Sequence, residues 1–185
     1  MASSQKTRRT DLRTVSRPAL LHEGSDAAFR DLIHNLMAYA HHIVACRDGF
    51  GALIGLTGVQ YEVLMIVRQF GGADGMSVGQ LAAQLHRSGA FATMASGKLA
   101  ERGLIMKRAD PADGRRVLLV LSPAGEALVR SLAPFQRQVN DVLFRGLDKR
   151  RFEALSSMVQ GLVTNGEKGL ALSEFLVAQA ATRAA

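Results

Sequence analysis

Arg87, Lys98, Arg102, Lys107, Arg108, Arg115 and Arg116 fall within one short stretch that holds only Glu101, Asp110 and Asp113 as counter-charges. The excess of four positive charges there is more than half of the net +7 carried by the whole chain. Guanidinium and ammonium groups gathered this way suit phosphate. Each phosphate they neutralise releases a condensed counterion, which gives affinity for a nucleic-acid backbone without reading its sequence. A second set of reactive types lies upstream. Asn35, Tyr39, His42 and Cys46 recur at steps of four, three and four, and His34 and His41 are seven apart. On a helix such steps share a side. His41 and His42 are neighbours and point in different directions, so no metal centre is expected. Cys46 stands near a helix end without the N-terminal field that depresses a thiol pKa, which makes redox sensing the minor alternative.

The basic cluster needs elements to hold it, and the sequence supplies them. Leu81, Ala82 and Leu85 make one apolar face of a short helix. Ser88 stands at an N-cap position for a second helix that runs to about Arg102 and stops at Gly103, a residue suited to a left-handed cap. Ile105 to Ala109 and Val117 to Leu121 read as strands joined by the turn-forming run Asp110-Pro111-Ala112-Asp113-Gly114, and Met76-Ser77 can pair briefly with them. Helix, turn, helix and hairpin in this order is the plan of a winged helix-turn-helix, with the charges on the second helix and the hairpin tip.

The segment from Leu81 to Ile105, followed by Lys107 to Leu128, resembles the MarR family of transcriptional regulators. The resemblance rests on Leu99 to Leu104, on Asp110, Asp113 and Arg115 in the wing, and on Leu121, Ser122 and Gly125 after it. Leu56 to Leu64 resembles the opening of the family's second helix, and the likeness spans roughly residues 27–165. It implies a mainly α fold with a small β-hairpin wing, and a homodimer built by helices from both ends of the chain. It also implies that Arg115 enters the DNA minor groove.

An α-helix fits the major groove with its N-terminal half toward the bases. Here that half carries Ala90, Phe91, Thr93 and Met94, with Lys98 a turn later, and it is poorer in Ser, Thr and Arg than the resembled family's usual run. No Arg or Asn is placed for a bidentate base contact. Ala90 and the Thr93 methyl are expected at thymine methyls, and Ser88, Thr93 and Lys98 at phosphates. Phe91 and Met94 are expected in the core. Arg108 and Arg116 are expected near phosphates, with Asp113 orienting Arg115 through a salt bridge. Specificity should then lean on DNA shape and the wing.

Around this lobe (56–121) the chain divides into a basic, disordered arm (1–25), a dimerisation helix with its loop (26–55), and dimerisation helices with a tail (122–185). The arm holds Lys6, Arg8, Arg9, Arg13 and Arg17. The first helix is expected over Asp26 to Asp48, with Phe29, Leu32, Ile33 and Leu36 on its apolar side, and Gly49, Gly51 and Gly55 in the loop after it. A second helix follows from Leu56 to Phe70. After Ser122 and Pro123 a long helix carries Leu128, Leu132, Phe135, Val139 and Val142 at near-heptad spacing. Lys149 to Thr164 reads as another helix, with Phe152, Leu155 and Val159 inward. Asn165-Gly166 ends it, before a last short helix over Leu170 to Gln179.

The resemblance further implies a crevice between the dimer helices and the DNA-binding lobe, where members of the family bind small aromatic or phenolic compounds. By position His34, Tyr39, His41, His42, Tyr61, Met65 and Arg68 are its candidate liners, suited to an aromatic carboxylate or its thioester; their types fit core or interface filling equally well. The chain carries no nucleophile elbow, no phosphate-binding glycine loop and no zinc-hydrolase motif, so neither an enzyme nor a cofactor is expected. One cysteine excludes an intramolecular disulfide and suits a reducing cytoplasm. No run approaches membrane-spanning length and no secretory signal is apparent. A ligand-responsive regulator, most simply a repressor, is the expected function. A constitutive or architectural DNA-binding dimer is the alternative.

Overall fold

Hydroxyl caps start the helices of the central lobe. In a computed structural model describing residues 12–184, Thr57 Oγ1 accepts from Gln60 N at 3.3 Å while Gln60 Oε1 accepts from Thr57 N at 3.0 Å. Ser77 and Gln80 repeat the exchange at 3.2 and 2.7 Å, and Ser88 Oγ accepts from Phe91 N at 3.2 Å. Each satisfies donors that a helix start leaves without partners. The capped helices are α2 (Gly58–Ile66), α3 (Val78–Leu85) and α4 (Gly89–Glu101). A wide π-type turn, Val67–Gly71, extends α2. Gly103 follows α4 with φ +70°, a conformation only glycine adopts freely, so the chain turns there into the sheet.

The sheet has three antiparallel strands in the order β1-β3-β2, with β1 at Met76–Ser77, β2 at Ile105–Ala109 and β3 at Val117–Leu121. Met76 and Lys107 both stand opposite Leu119, so β3 is the central strand. The strand bounds and the brief pairing of Met76-Ser77 agree with the sequence reading. Val63, Leu64, Leu81, Leu99, Leu119 and Val129 are fully buried and join α2, α3, α4, the sheet and the next helix into one core. That helix, α5, runs over Pro123–Leu143. Ser122 fixes its start by donating to Gly103 O at 2.6 Å and accepting from Gly125 N at 3.0 Å.

The first helix, α1, covers Ala27–Leu53 and is longer than its sequence suggests. Gly49 and Gly51 lie inside it because a glycine costs a helix interior only about 1 kcal/mol, too little to end one that packs along α2. Leu32, Leu36, Met37 and Val44 are exposed along α1 in the single chain. The arm's Lys6, Arg8 and Arg9 lie outside the described residues. Its later part is held rather than loose. Asp26 is buried and accepts from Thr14 N at 2.7 Å, Thr14 Oγ1 at 2.8 Å and the Arg30 guanidinium.

Those bonds hold the Asp26 carboxyl below its ordinary value of 3.8, the Thr14 backbone bond contributing most. A depressed carboxylate stabilises above its unfolded pKa and loses that contribution as pH falls through the folded one. The segment preceding α1 is therefore expected to stay docked at neutral pH and to become protease-sensitive only below about pH 4. Limited proteolysis across pH checks this, and Asp26→Asn should show the sensitivity already at pH 7.

The chain divides into two compact units, one up to Val139 and one from Asn140 onward. The second holds the end of α5, a turn at Gly146 (φ +90°), and α6, one unbroken helix over Lys149–Ala184. Asp148 Oδ1 starts α6 by accepting from Arg151 N at 2.7 Å. The expected break at Asn165-Gly166 is absent. Gly166 and Gly169 stand among Glu167, Lys168, Leu170 and Ala171, all good helix formers, and a glycine cost of about 1 kcal/mol each does not end the helix. Nor do Phe152, Leu155 and Val159 point inward; all three are exposed on the single chain. At 1.5 Å per residue the 36 residues of α6 span about 54 Å.

Candidate nucleic-acid interface

The side chains of α4 divide sharply. Ala92, Ala95, Ser96 and Leu99 are buried in the core, and the Ser96 hydroxyl donates to Ala92 O at 2.7 Å. Ala90, Thr93, Met94 and Lys98 form the exposed side. Thr93 Oγ1 donates to Gly89 O at 2.9 Å, which leaves its methyl and lone pairs for anything outside. Met94 is 52% exposed, contrary to its expected place in the core. The step from Leu99 back to Ala95 and Ala92 sets the buried side, and Met94 falls off it. Phe91 is half-buried against the core, with the Arg87 guanidinium 5.9 Å from its ring centre.

The wing tip is organised by main-chain bonds. Asp110 Oδ1 accepts from Ala112 N at 2.9 Å, and Asp113 Oδ1 accepts from Arg115 N at 3.2 Å. Asp110 N donates to Arg116 O at 3.0 Å and Arg116 N to Asp113 O at 2.8 Å. The expected ion pair between Asp113 and Arg115 does not form. Asp113 Oδ2 instead meets Arg116 Nε at 3.4 Å, and no ion pair holds the Arg115 guanidinium among the described residues. The turn explains the switch: Asp113 spends one oxygen on the Arg115 amide, which leaves the other toward Arg116. Arg108, expected near a phosphate, is exposed and also has a role within the chain. Its guanidinium donates to Ala73 O at 2.7 Å and to Asp74 O, tying β2 to the loop before β1.

Lys98, Arg115 and Ser88 are thus exposed at the surface that α4 and the wing share, and Arg116 is exposed beside them with Asp113 as partner. Sequence reasoning counts Arg102 only in the basic cluster and misses its bond to Gly55 O at 2.7 Å, which ties the end of α4 to the corner between α1 and α2. Nothing local marks it, because its partner is 47 residues away.

The candidate effector residues come together only in part. Tyr61 is buried against Phe50, ring centres 5.8 Å apart, and its hydroxyl accepts from Gln136 Nε2 at 2.7 Å. Gln136 also approaches Met65 Sδ at 3.9 Å. Burial pushes the Tyr61 hydroxyl above its ordinary pKa of 10.0, against the opposing pull of Gln136 and Arg47. The Arg47 guanidinium lies 5.9 Å from the Tyr61 ring centre and pairs with Glu62 at 3.3 Å. Leu132 completes this small cluster, and Cys46 is half-buried against it.

His34, His41 and His42 are exposed on α1 and do not join the cluster; Tyr39 is half-buried and already engaged. Arg68 is exposed and pairs with Glu126 at 3.9 Å. Arg47, Phe50 and Gln136 were missed. Gln136 had a signal, four residues after Leu132 on one helix, but the apolar Phe135 beside it drew the stripe, and Phe135 is 52% exposed. An open groove of about 850 Å³ lies elsewhere, at the base of the wing, lined in part by Asp74, Ser77, Gln80 and Arg108. Among the described residues no three His, Cys, Asp or Glu side chains gather as metal ligands would, and no single helix is long and apolar enough to cross a membrane.

Two helices at a turn, a three-stranded wing and a basic outer face define a winged helix-turn-helix of the DNA-binding kind. The MarR family model matches residues 56–117, the stretch that holds α2, α3, α4 and the wing. Solved structures agree in fold. CouR from Rhodococcus jostii RHA1, in complex with p-coumaroyl-CoA, aligns with a TM-score of 0.67 at 20% identity, over 75% of this chain and 95% of that one. A probable transcriptional regulator from Pseudomonas aeruginosa aligns at 0.56 and 29% identity, over 72% and 98%. Bordetella bronchiseptica BpsR, whose DNA binding is regulated through 6-hydroxynicotinic acid, aligns at 0.57 and 26% identity, over 77% and 96%. Comparison with curated protein sequences finds no significant match.

Proposed function

We propose that this chain is a cytoplasmic, homodimeric repressor that binds an inverted-repeat operator and is released by a small aromatic or phenolic acid or its thioester. The observation that carries the DNA-binding part is the exposed surface of α4 and the wing, with Lys98 and Arg115 outward and Arg115 free of any ion pair among the described residues. The apolar faces of α1 and α6, exposed on the single chain, support a dimer. A two-fold dimer reads half-sites about one helical turn apart, roughly 34 Å between centres.

The cluster of Tyr61, Phe50, Arg47 and Gln136 supports the effector part. Two aromatic rings, a guanidinium and an amide suit an aromatic ring bearing a carboxylate. The similarity to BpsR, with its hydroxylated aromatic acid, points the same way. Gly55, to which Arg102 is bonded, sits between the two helices that carry Phe50 and Tyr61. A ligand that spreads α1 from α2 would therefore move the end of α4.

The test is binding of the purified protein to the DNA upstream of its own coding region, against a scrambled duplex, at several salt concentrations. Preference for the native fragment, abolished by an aromatic acid, is the expected result. Equal and steeply salt-dependent binding to both duplexes would mean backbone contacts alone. Insensitivity of a specific complex to every acid and thioester would leave a constitutive binder. Gln136→Leu should raise the effector concentration needed for release about tenfold, the scale of one lost hydrogen bond to a charged or polar group, while operator affinity without effector stays unchanged. Titration of both forms by fluorescence anisotropy reads the two quantities separately.

A further inference from the structure

We infer that α4 reads its operator by apolar contact with thymine 5-methyl groups, and that Met94 is the residue that determines this specificity. The inference rests on the operator-binding reading above and says what the operator must contain. Thr93, Ser96, Lys98 and Glu101 are the only residues of α4 whose side chains can hydrogen-bond. Ser96 is buried and bonded to Ala92 O, and the Thr93 hydroxyl donates to Gly89 O. Lys98 and Glu101 belong to the second half of the helix, away from the end that enters a groove first. Bidentate amide or guanidinium recognition of a base is therefore absent from this helix.

What α4 does present is Ala90, Met94 and the Thr93 methyl, on one exposed side with Gly97 a turn beyond. The edges of B-DNA's major groove offer one apolar group, the 5-methyl of thymine. The charges fit DNA: Arg87 just before α4, Lys98 on it, and Lys107, Arg115 and Arg116 in the strand and wing that follow are all exposed and positive. Gly89 and Gly97 have open space where a Cβ would stand, so the helix can lie close to the bases. Met94, unbranched and flexible, can adapt its thioether to a methyl at more than one step.

The experiment selects operators from a randomised duplex pool with the full-length protein and then replaces single thymines by deoxyuridine. That exchange removes only the 5-methyl and keeps the pairing edge. Enrichment of T·A pairs at the positions facing α4 is expected. Each replacement there should weaken binding about fourfold, the worth of one buried methyl, or roughly 15-fold when both half-sites are changed. In Met94→Ala, which keeps the fold because Met94 is 52% exposed, the same replacement should have little further effect. A selected operator that binds equally well with deoxyuridine throughout would overturn the inference and leave the operator reading intact. So would an equal deoxyuridine penalty in Met94→Ala, since the methyl would then act through DNA shape. Failure to enrich any sequence would overturn both readings.

Discussion

Arg115→Ala is expected to weaken operator binding by about two orders of magnitude, because the proposed dimer would lose one arginine from each half-site and a base-reading arginine is worth about 1–3 kcal/mol. The structure makes the variant interpretable. Asp113 pairs with Arg116, not Arg115, and holds the Arg115 position only through its main-chain amide. Truncating Arg115 beyond Cβ therefore breaks no intrachain ion pair and leaves the turn bonds of Asp110 and Asp113 in place. The melting temperature should stay within a degree or two of the parent, by the small effect usual for exposed substitutions. Arg116→Ala is the contrasting variant. It exposes Asp113 as an uncompensated negative charge at the tip, so it should weaken binding to every duplex alike and flatten the salt dependence. Isothermal titration with an A·T-rich and a G·C-rich operator flank separates the two. If Arg115→Ala binds with parental affinity, the wing has no part in recognition.

The lobe from Leu56 to Leu121 was legible in the sequence because its signals are local. Caps, helix periods, the Gly103 stop and the turn chemistry of Asp110 to Gly114 each act within a few residues. The strands at Ile105–Ala109 and Val117–Leu121 were read to the residue for that reason. Helix lengths were not. Gly49, Gly51, Asn165 and Gly166 look like stops, yet a glycine penalty of about 1 kcal/mol decides only where neighbouring residues are poor formers. Site geometry was legible where it follows a helix face and obscure where it depends on distant partners. Arg102 to Gly55, Arg108 to Ala73 and Tyr61 to Gln136 join residues 35 to 75 positions apart. Nothing in their own neighbourhoods announces the bonds. The Met94 expectation fails differently: apolar type suggests burial, but Met94 lies off the side set by Ala92, Ala95 and Leu99 and is exposed.

Gly125→Ala is expected to be the most damaging single methyl in the chain. A Cβ built there would stand 2.2 Å from the carbonyl oxygen of Leu104, and that oxygen cannot retreat cheaply because it accepts from Ser122 N at 3.1 Å. Either the start of α5 lifts away or the corner between α4 and β2 moves. Lifting α5 breaks the Ser122 bonds to Gly103 O and Gly125 N, each worth about 1 kcal/mol. Overpacking of a tight site adds about 1–3 kcal/mol more. The sum, on the order of 3–5 kcal/mol, is a large part of the 5–15 kcal/mol typical of a folded domain. The consequence reaches function, since α5 carries Leu132 and Gln136 onto Tyr61. Urea unfolding at matched protein concentration measures the loss. Gly97→Ala is the control. It adds the same methyl inside α4 with nothing within 4 Å, so it should stabilise by about 0.5–1 kcal/mol. Equal and small effects of the two substitutions would show that the contact of Gly125 with Leu104 is not the constraint that keeps a glycine at the start of α5.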